Sequence, residues 1–393
     1  MSARRIAVLE PTAHAGGAQI SLLELIRRLH GDPQIIVILP EDGPLRERAL
    51  AAGAEVRILP WPAVILRLGE RSGLRTPSGL LRAAIASGSI PLLAYRLAAL
   101  LDDVRADALI TNGIKPHIVG ALAQFGSPRP LLWYLRDGFE GRGVSTRAMR
   151  SLARRCAGAI AISHYVAKEA SEVLPASLPI SVIYNIVDFA RFHRDATPAR
   201  DLMKQPGELW FGVVGALTAL KGQDLFLRAA ARVAPHLPHA RFVIVGSNFY
   251  KTEAASGFED ELRRLADEPP LAGRVMFLGH RDDVAAVLRH IDILVQPNRG
   301  PEALGRSVLE AMACSIPVIV ANKWGPAEVV TDGQTGVLTP VLDVPALATK
   351  MLDLARDPAR RVALGTAAAR WVREALEPDR IVAEFRAFVA RFV

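Results

Sequence analysis

Short apolar runs alternate with stretches of helical period along most of the chain. Residues 6–9, 34–39, 55–59, 108–111, 131–135, 159–162 and 180–184 have the length and composition of buried strands. After a break, the same pattern returns at 209–214, 241–245, 275–278, 291–295 and 317–320. Strands separated by helices cannot be hairpins. They form parallel sheets, with crossover helices on both faces. Residues 189–207 lose the periodicity and gain charge and proline, which reads as a linker. The expected class is therefore α/β, with two doubly wound Rossmann-like domains, 1–190 and 205–370, facing each other across a cleft. A helical tail, 371–393, carries Ile381, Phe385, Phe388, Val389 and Phe392 on one stripe. That stripe suits packing back on the first domain; an ordinary last helix of the second domain fits nearly as well.

Ligands of such sheets bind outside the carboxyl ends of the strands, so the loops leaving the strands carry the functional signal. The most informative is 297–313, where two prolines and two glycines lead into a helical pattern from Arg306. Glu302 lies in this loop, and Glu310 lies about one turn into the helix. A helix start offers unpaired N–H groups and partial positive charge, which suits phosphate. Flanking carboxylates suit hydroxyls of the same ligand, as in a nucleotide sugar. A helix with an ordinary acidic first turn is the competing reading. In the first half, 6–9 ends in a loop holding Gly16-Gly17, where backbone can approach a phosphate. A plain tight turn explains the two glycines equally well. Lys221 sits in the loop after 209–214 and is the best-placed cation of the second half.

Several chemistries are excluded. Gly212, Gly215 and Gly222 lack dinucleotide-fingerprint spacing, and Lys221-Gly222-Gln223 is not a Walker loop. There is no Asp-x-Asp, no Gly-x-Ser-x-Gly and no zinc-ligand spacing among the histidines. Neither metal nor cofactor is expected. The two cysteines, Cys156 and Cys314, read as core residues rather than a disulfide framework. A net charge of +8 favours anionic partners. No basic block with interleaved aromatics points to nucleic acid. Neither a signal peptide nor a transmembrane run is apparent, so a cytoplasmic location is expected. The stretch 61–101 is apolar and studded with arginines at 67, 71, 75, 82 and 96. It suits ordinary surface helices, or peripheral contact with an anionic membrane at its inner face, or a grip on a charged acceptor.

These loops, in this order, resemble retaining glycosyltransferases of family 4, which have the GT-B fold. The resemblance covers nearly the whole chain. It rests on Glu302 and Glu310 with seven residues between them, Gly325-Pro326-Ala327-Glu328, Lys221-Gly222, Gly16-Gly17-Ala18-Gln19 and the hinge-like Tyr184-Asn185-Ile186-Val187-Asp188. It implies transfer of a sugar from a nucleotide-diphosphate sugar to a glycan or lipid-linked hydroxyl, with retention and without metal. It also implies roles. Lys221 and the amides at Leu304, Gly305 and Ser307 would hold the diphosphate. Glu310 would accept from the ribose hydroxyls, and Glu302 would position the sugar. Gly16, Gly17 and Gly215 would line the phosphate site, and Arg281 would lie by the base.

The chain departs from the family pattern at three positions. The usual arginine after the glycine of the Lys221 loop is Ala216. The usual His-Asp after strand 131–135 is Arg136-Asp137, and the hinge glycine is Ile186. Arg136 cannot act as a base, but it would supply the missing positive charge. A nucleotide-sugar-binding or scaffold protein that has lost transfer is the alternative that Ala216 raises. An oxidoreductase is a distant third.

Overall fold

The structure, a computed structural model, describes residues 4–66, 77–140, 143–248 and 253–393. Two compact units emerge: Met1–Ile186 with Pro378–Val393, and Val187–Glu377. The boundary falls inside the hinge-like Tyr184–Asp188 segment. Residues 189–207, read as a linker, pack within the second unit. There Lys204 Nζ donates to the His290 carbonyl at 3.0 Å, and the Ala199 amide donates to the Ala286 carbonyl at 3.1 Å.

The first unit runs β1 (Arg5–Leu9), α1 (Gly17–Leu29), β2 (Gln34–Leu39), α2 (Pro44–Ala51), β3 (Glu55–Ile58), α3 (Ala63–Leu66) and α4 (Pro77–Asp103). It continues with β4 (Ala108–Asn112), α5 (Ile114–Ala123), β5 (Leu131–Leu135), α6 (Gly143–Leu152), β6 (Gly158–Ala161), α7 (His164–Val173) and β7 (Ile180–Val182). The strands form one parallel sheet, in the order β3-β2-β1-β4-β5-β6-β7. The central strands are buried along their length, as parallel sheets covered on both faces require. Ser163 caps α7, its hydroxyl accepting from the Val166 amide at 3.1 Å, as its place before a helical pattern implies.

The second unit runs β8 (Leu209–Val214), α8 (Gln223–Val233), β9 (Ala240–Val245), α9 (Glu253–Asp267), β10 (Val275–Gly279), α10 (Val284–Leu288) and β11 (Ile293–Gln296). It continues with α11 (Arg306–Ala313), β12 (Val318–Ala321), α12 (Trp324–Glu328), β13 (Val337–Thr339), α13 (Val344–Arg356) and α14 (Pro358–Ala375). Its sheet is also parallel, in the order β10-β9-β8-β11-β12-β13. In both sheets the strand order reverses beside the first strand of the unit. That reversal opens a crevice at the carboxyl ends of β1 and β4, and of β8 and β11. The helices α5 and α9 and the edge strand β13 go beyond the sequence reading.

The last helix, α15 (Pro378–Val389), belongs to the first unit. Its stripe of Ile381, Phe385, Phe388 and Val389 is buried. Arg386 donates to the carbonyls of Leu29 and Asp32, both at 2.9 Å, closing the end of α1. Gly158 leaves room for this packing: a Cβ there would lie 2.5 Å from the Phe392 ring.

In the arginine-studded stretch, Arg67, Glu70, Arg71 and Arg75 lie outside the described residues, as does the side chain of Arg82. Pro91 sits inside the continuous helix α4. It removes one backbone hydrogen bond, but buried Leu93, Leu97 and Leu101 hold the helix to the unit regardless. Among the described residues, no helix is long and apolar enough to cross a membrane.

Phe388→Ala should cost about 3–5 kcal/mol. Hydrogen exchange should lose protection in β1 and β4–β6 while β8–β13 keep theirs; loss spread over both units would contradict the assignment of α15.

Candidate functional site

The loops leaving β8 and β11 meet at the reversal point of the second sheet. Residues Ala219–Lys221 make one 3-10 turn, and Gly222 follows with φ 74°. A Cβ at Gly222 would stand 2.1 Å from the Pro297 carbonyl oxygen, so the two backbones touch where only glycine fits. The Arg299 amide donates to the Leu220 carbonyl at 2.9 Å, and Gly300 to the same oxygen at 3.3 Å. The Arg299 guanidinium pairs with Asp224, in the first turn of α8. Above these ties, Lys221 Nζ donates to Glu302 Oε2 in a close ion pair, with side chains 25% and 19% exposed. The two groups singled out independently in the sequence are therefore partners. The Lys221 side chain also runs along Gly215, its Cδ and Cε 3.6 Å from where a Cβ would be.

The far side of the β11 loop is held as firmly. The Gly325 amide donates to the Glu302 carbonyl at 2.9 Å, and Pro326 packs on Gly305. Thus 325–328, read as a loop segment, forms the helix α12 and braces Glu302 from behind. Gly305, with φ 81°, starts α11. No side chain caps this helix, and its first turn holds no acid. The acidic first turn that competed with the anion-site reading is absent: Glu302 precedes the helix and Glu310 is its fifth residue. The α8 start differs, because Asp224 already occupies it. Of the two helix starts, only that of α11 offers uncompensated positive potential.

Glu310 is buried and accepts from Arg306 Nε at 2.6 Å. Burial raises its carboxyl above the ordinary value of 4.5, and Arg306 opposes that shift. Ser307 Oγ lies 3.4 Å from Gln296 Oε1 at the end of β11, and Leu304 is buried. Arg281 is clasped by two carboxylates. It donates to Asp201 Oδ1 at 2.9 Å and to Asp283 at 2.7 Å, so its charge is compensated within the unit.

In the first unit, Gly16 and Gly17 form the start of α1, again without a capping side chain or an acid in the first turn. Beneath lies a buried polar cluster. Glu10 accepts from Asn112 Nδ2 at 2.5 Å and from Gln19 Nε2 at 2.8 Å. Burial raises the Glu10 carboxyl, while Asn112, Gln19 and Arg136 act in the other direction. Arg136 donates from Nη1 to Asn185 Oδ1 at 2.9 Å and stacks on Tyr134, its Cζ 4.0 Å from the ring centre. Its Nε and Nη2 are buried and unpartnered. Unmet donors on a buried guanidinium cost stability.

Glu10, Asp224, Gln296, Arg299 and Arg306 escaped the sequence reading. One signal was legible: Arg306 puts a cation on the positive end of a helix, against the dipole rule. The two thiols do no chemistry here; burial pushes both Cys156 and Cys314 up to about 12.

With this geometry in place, comparison with known proteins is informative. Residues 15–191 match the family described as Glycosyltransferase Family 4, and residues 199–371 match Glycosyl transferases group 1. The chain belongs to this family of glycosyltransferases. A lipopolysaccharide core biosynthesis mannosyltransferase, LpcC, of Rhizobium leguminosarum bv. viciae is 33% identical over 50% of this chain and 55% of its own length. A GDP-mannose-dependent phosphatidylinositol monomannoside mannosyltransferase of Mycolicibacterium smegmatis is 26% identical over 72% and 75%. The chain thus spans little more than half the length of the first of these relatives. Among solved structures, Anabaena HepE, in complex with UDP, is similar with a TM-score of 0.80 at 22% identity, covering 99% and 100% of the two chains. Sucrose-phosphate synthase from Thermosynechococcus elongatus is similar with a TM-score of 0.78 at 19% identity, covering 99% and 98%. Both show the fold: two Rossmann-like units of the GT-B class.

The buried Glu310 makes a pH prediction. Its folded value lies above its unfolded value, so the native state holds the proton longer. Stability therefore falls as pH rises from the ordinary carboxylate range through the raised value. In urea unfolding, Glu310→Gln should therefore gain stability relative to wild type as pH rises from about 4 to about 7. A constant difference across that range would contradict the raised value.

Proposed function

We propose that the chain transfers a sugar from a nucleotide-diphosphate sugar to a hydroxyl of a glycan or lipid-linked acceptor, with retention of configuration. The observation that carries this reading is the Lys221–Glu302 pair at the reversal point of the second sheet, beside the uncapped, acid-free start of α11. A leaving diphosphate needs positive charge that is already in place when the bond breaks. Lys221 and the first-turn amides supply it. Lys221 is shared with Glu302 in the free protein, so donor binding exchanges one anion partner for another. Glu302 is then free to accept from sugar hydroxyls and orient the ring. In a front-face reaction of this kind, a leaving phosphate oxygen takes the proton of the acceptor hydroxyl, so no side chain need act as base. That accords with Arg136, which cannot accept a proton. The role proposed for Arg136 is to hold an anionic group with its two unmet donors.

Two kinds of relative support this reading. One is named for GDP-mannose-dependent transfer to a phosphatidylinositol mannoside and one for lipopolysaccharide core assembly. The acceptor class proposed here is accordingly a glycolipid or polysaccharide precursor, reached by peripheral contact with an anionic membrane at its cytoplasmic face. Exposed Leu92, Tyr95 and Arg96 on α4 offer apolar and basic groups for that contact. A second reading, a nucleotide-sugar-binding protein without transfer, is favoured by Ala216 alone.

With radiolabelled UDP- and GDP-sugars and a lipid-linked acceptor, Lys221→Ala and Glu302→Gln should each lower turnover by about 10²–10³. Wild-type rates in both variants would remove these residues from the mechanism. Tight donor binding by the wild type without transfer to any acceptor would support the second reading. Turnover should survive EDTA, and proton NMR of the product should show the donor's anomeric configuration. Loss of activity on chelation would contradict the metal-independent mechanism.

A further inference from the structure

Arg306 occupies a position that the rest of its helix does not explain. It is the first residue of α11, where the peptide dipoles already place positive charge. Among the described residues its ion-pair partner is Glu310, four residues on, met through Nε at 2.6 Å. Glu310 is almost wholly buried, its side chain 8% exposed, whereas Arg306 is 24% exposed and reaches solvent. At the same helix start, Gln296 is 1% exposed and its Nε2 has no partner, although its Oε1 faces Ser307 in the first turn. A cation, an unmet amide and an uncapped helix end thus stand at the same strand-to-helix junction. Across the β8 loop, position 216 holds an alanine rather than an arginine.

We propose that Arg306 is the second cation of the diphosphate site, and that donor binding moves it from Glu310 to the phosphates. This rests on the nucleotide-sugar reading and deepens it. The exchange leaves no charge unmatched. In the free protein Arg306 neutralises the buried Glu310. In the complex, ligand hydroxyls donate to Glu310 in its place, and the Nη edge of the guanidinium turns to the diphosphate, which suits bidentate contact. Because both residues sit on one helix, a change of side-chain rotamer suffices and no backbone need move.

Calorimetric titration of wild type, Arg306→Met, Arg306→Lys and Glu310→Gln with UDP, GDP and ADP, and with uridine, guanosine and adenosine, tests this directly. For whichever base the wild type binds, Arg306→Met should weaken the diphosphate by about tenfold or more and the nucleoside by less than about threefold. Arg306→Lys should fall between the two, keeping charge but losing the fork. Glu310→Gln should weaken nucleoside and diphosphate in equal proportion. Equal loss of both ligands in Arg306→Met would overturn the proposal, because Arg306 would then act only by holding Glu310. No loss of either would overturn it as well. A wild type that binds none of the six compounds would overturn the nucleotide-sugar reading itself, and this inference with it. If Arg306→Met fails to fold, Arg306→Gln is read by the same criteria.

Discussion

The second unit's site depends on two loops touching, backbone to backbone, at Gly222 and Pro297. Parallel strands β8 and β11 are neighbours although α8 through α10 separate them in sequence, so their exit loops meet without further design. Contact at 2.1 Å from a would-be Cβ leaves no room for a side chain. That contact sets where Lys221 and Glu302 stand, and the Arg299–Asp224 pair and the Leu220 carbonyl fix its register. Each side chain is long, so without the loop contact neither charged residue would have a fixed partner. The value of that contact is placement. The fold supplies rigidity on both sides, and the polar groups are left to meet a ligand.

The two units share a strand order but not a charge pattern. At the reversal point of the second, three acids and three bases stand in pairs, Lys221 with Glu302, Arg306 with Glu310 and Arg299 with Asp224. At that of the first, Glu10 and Arg136 are buried and reach amide side chains instead, Asn112, Gln19 and Asn185. A paired site can exchange partners when an anion arrives. A buried cluster with two orphaned N–H groups can only gain one.

Much of this was legible in the sequence because parallel sheets write plainly. Buried strands such as 131–135 and 209–214 are unbroken apolar runs, and the structure keeps their bounds to the residue. Lys221, Glu302 and Glu310 could be picked out because they lie in loops whose place at the carboxyl ends follows from strand order. What stayed hidden depends on contacts distant in sequence. Nothing near Asp224 in the sequence points to Arg299, 75 residues away, which holds it. Glu10 gave no sign of its tie to Asn112, 102 residues on. Helix α9 was missed although Phe258, Leu262 and Ala266 recur at helical spacing. Pro91 shows the opposite case, because burial of one face of α4 outweighs the loss of one backbone bond.

The central claim is that nucleotide diphosphate binds at the start of α11 beside Lys221. A crystal structure of the chain with UDP or GDP tests it most directly. The account predicts diphosphate oxygens within hydrogen-bonding distance of Lys221 Nζ and of the amides at 304–307, with the Lys221–Glu302 pair opened. Diphosphate seated instead at the start of α8, or at Gly16-Gly17 without contact to α11, would contradict it.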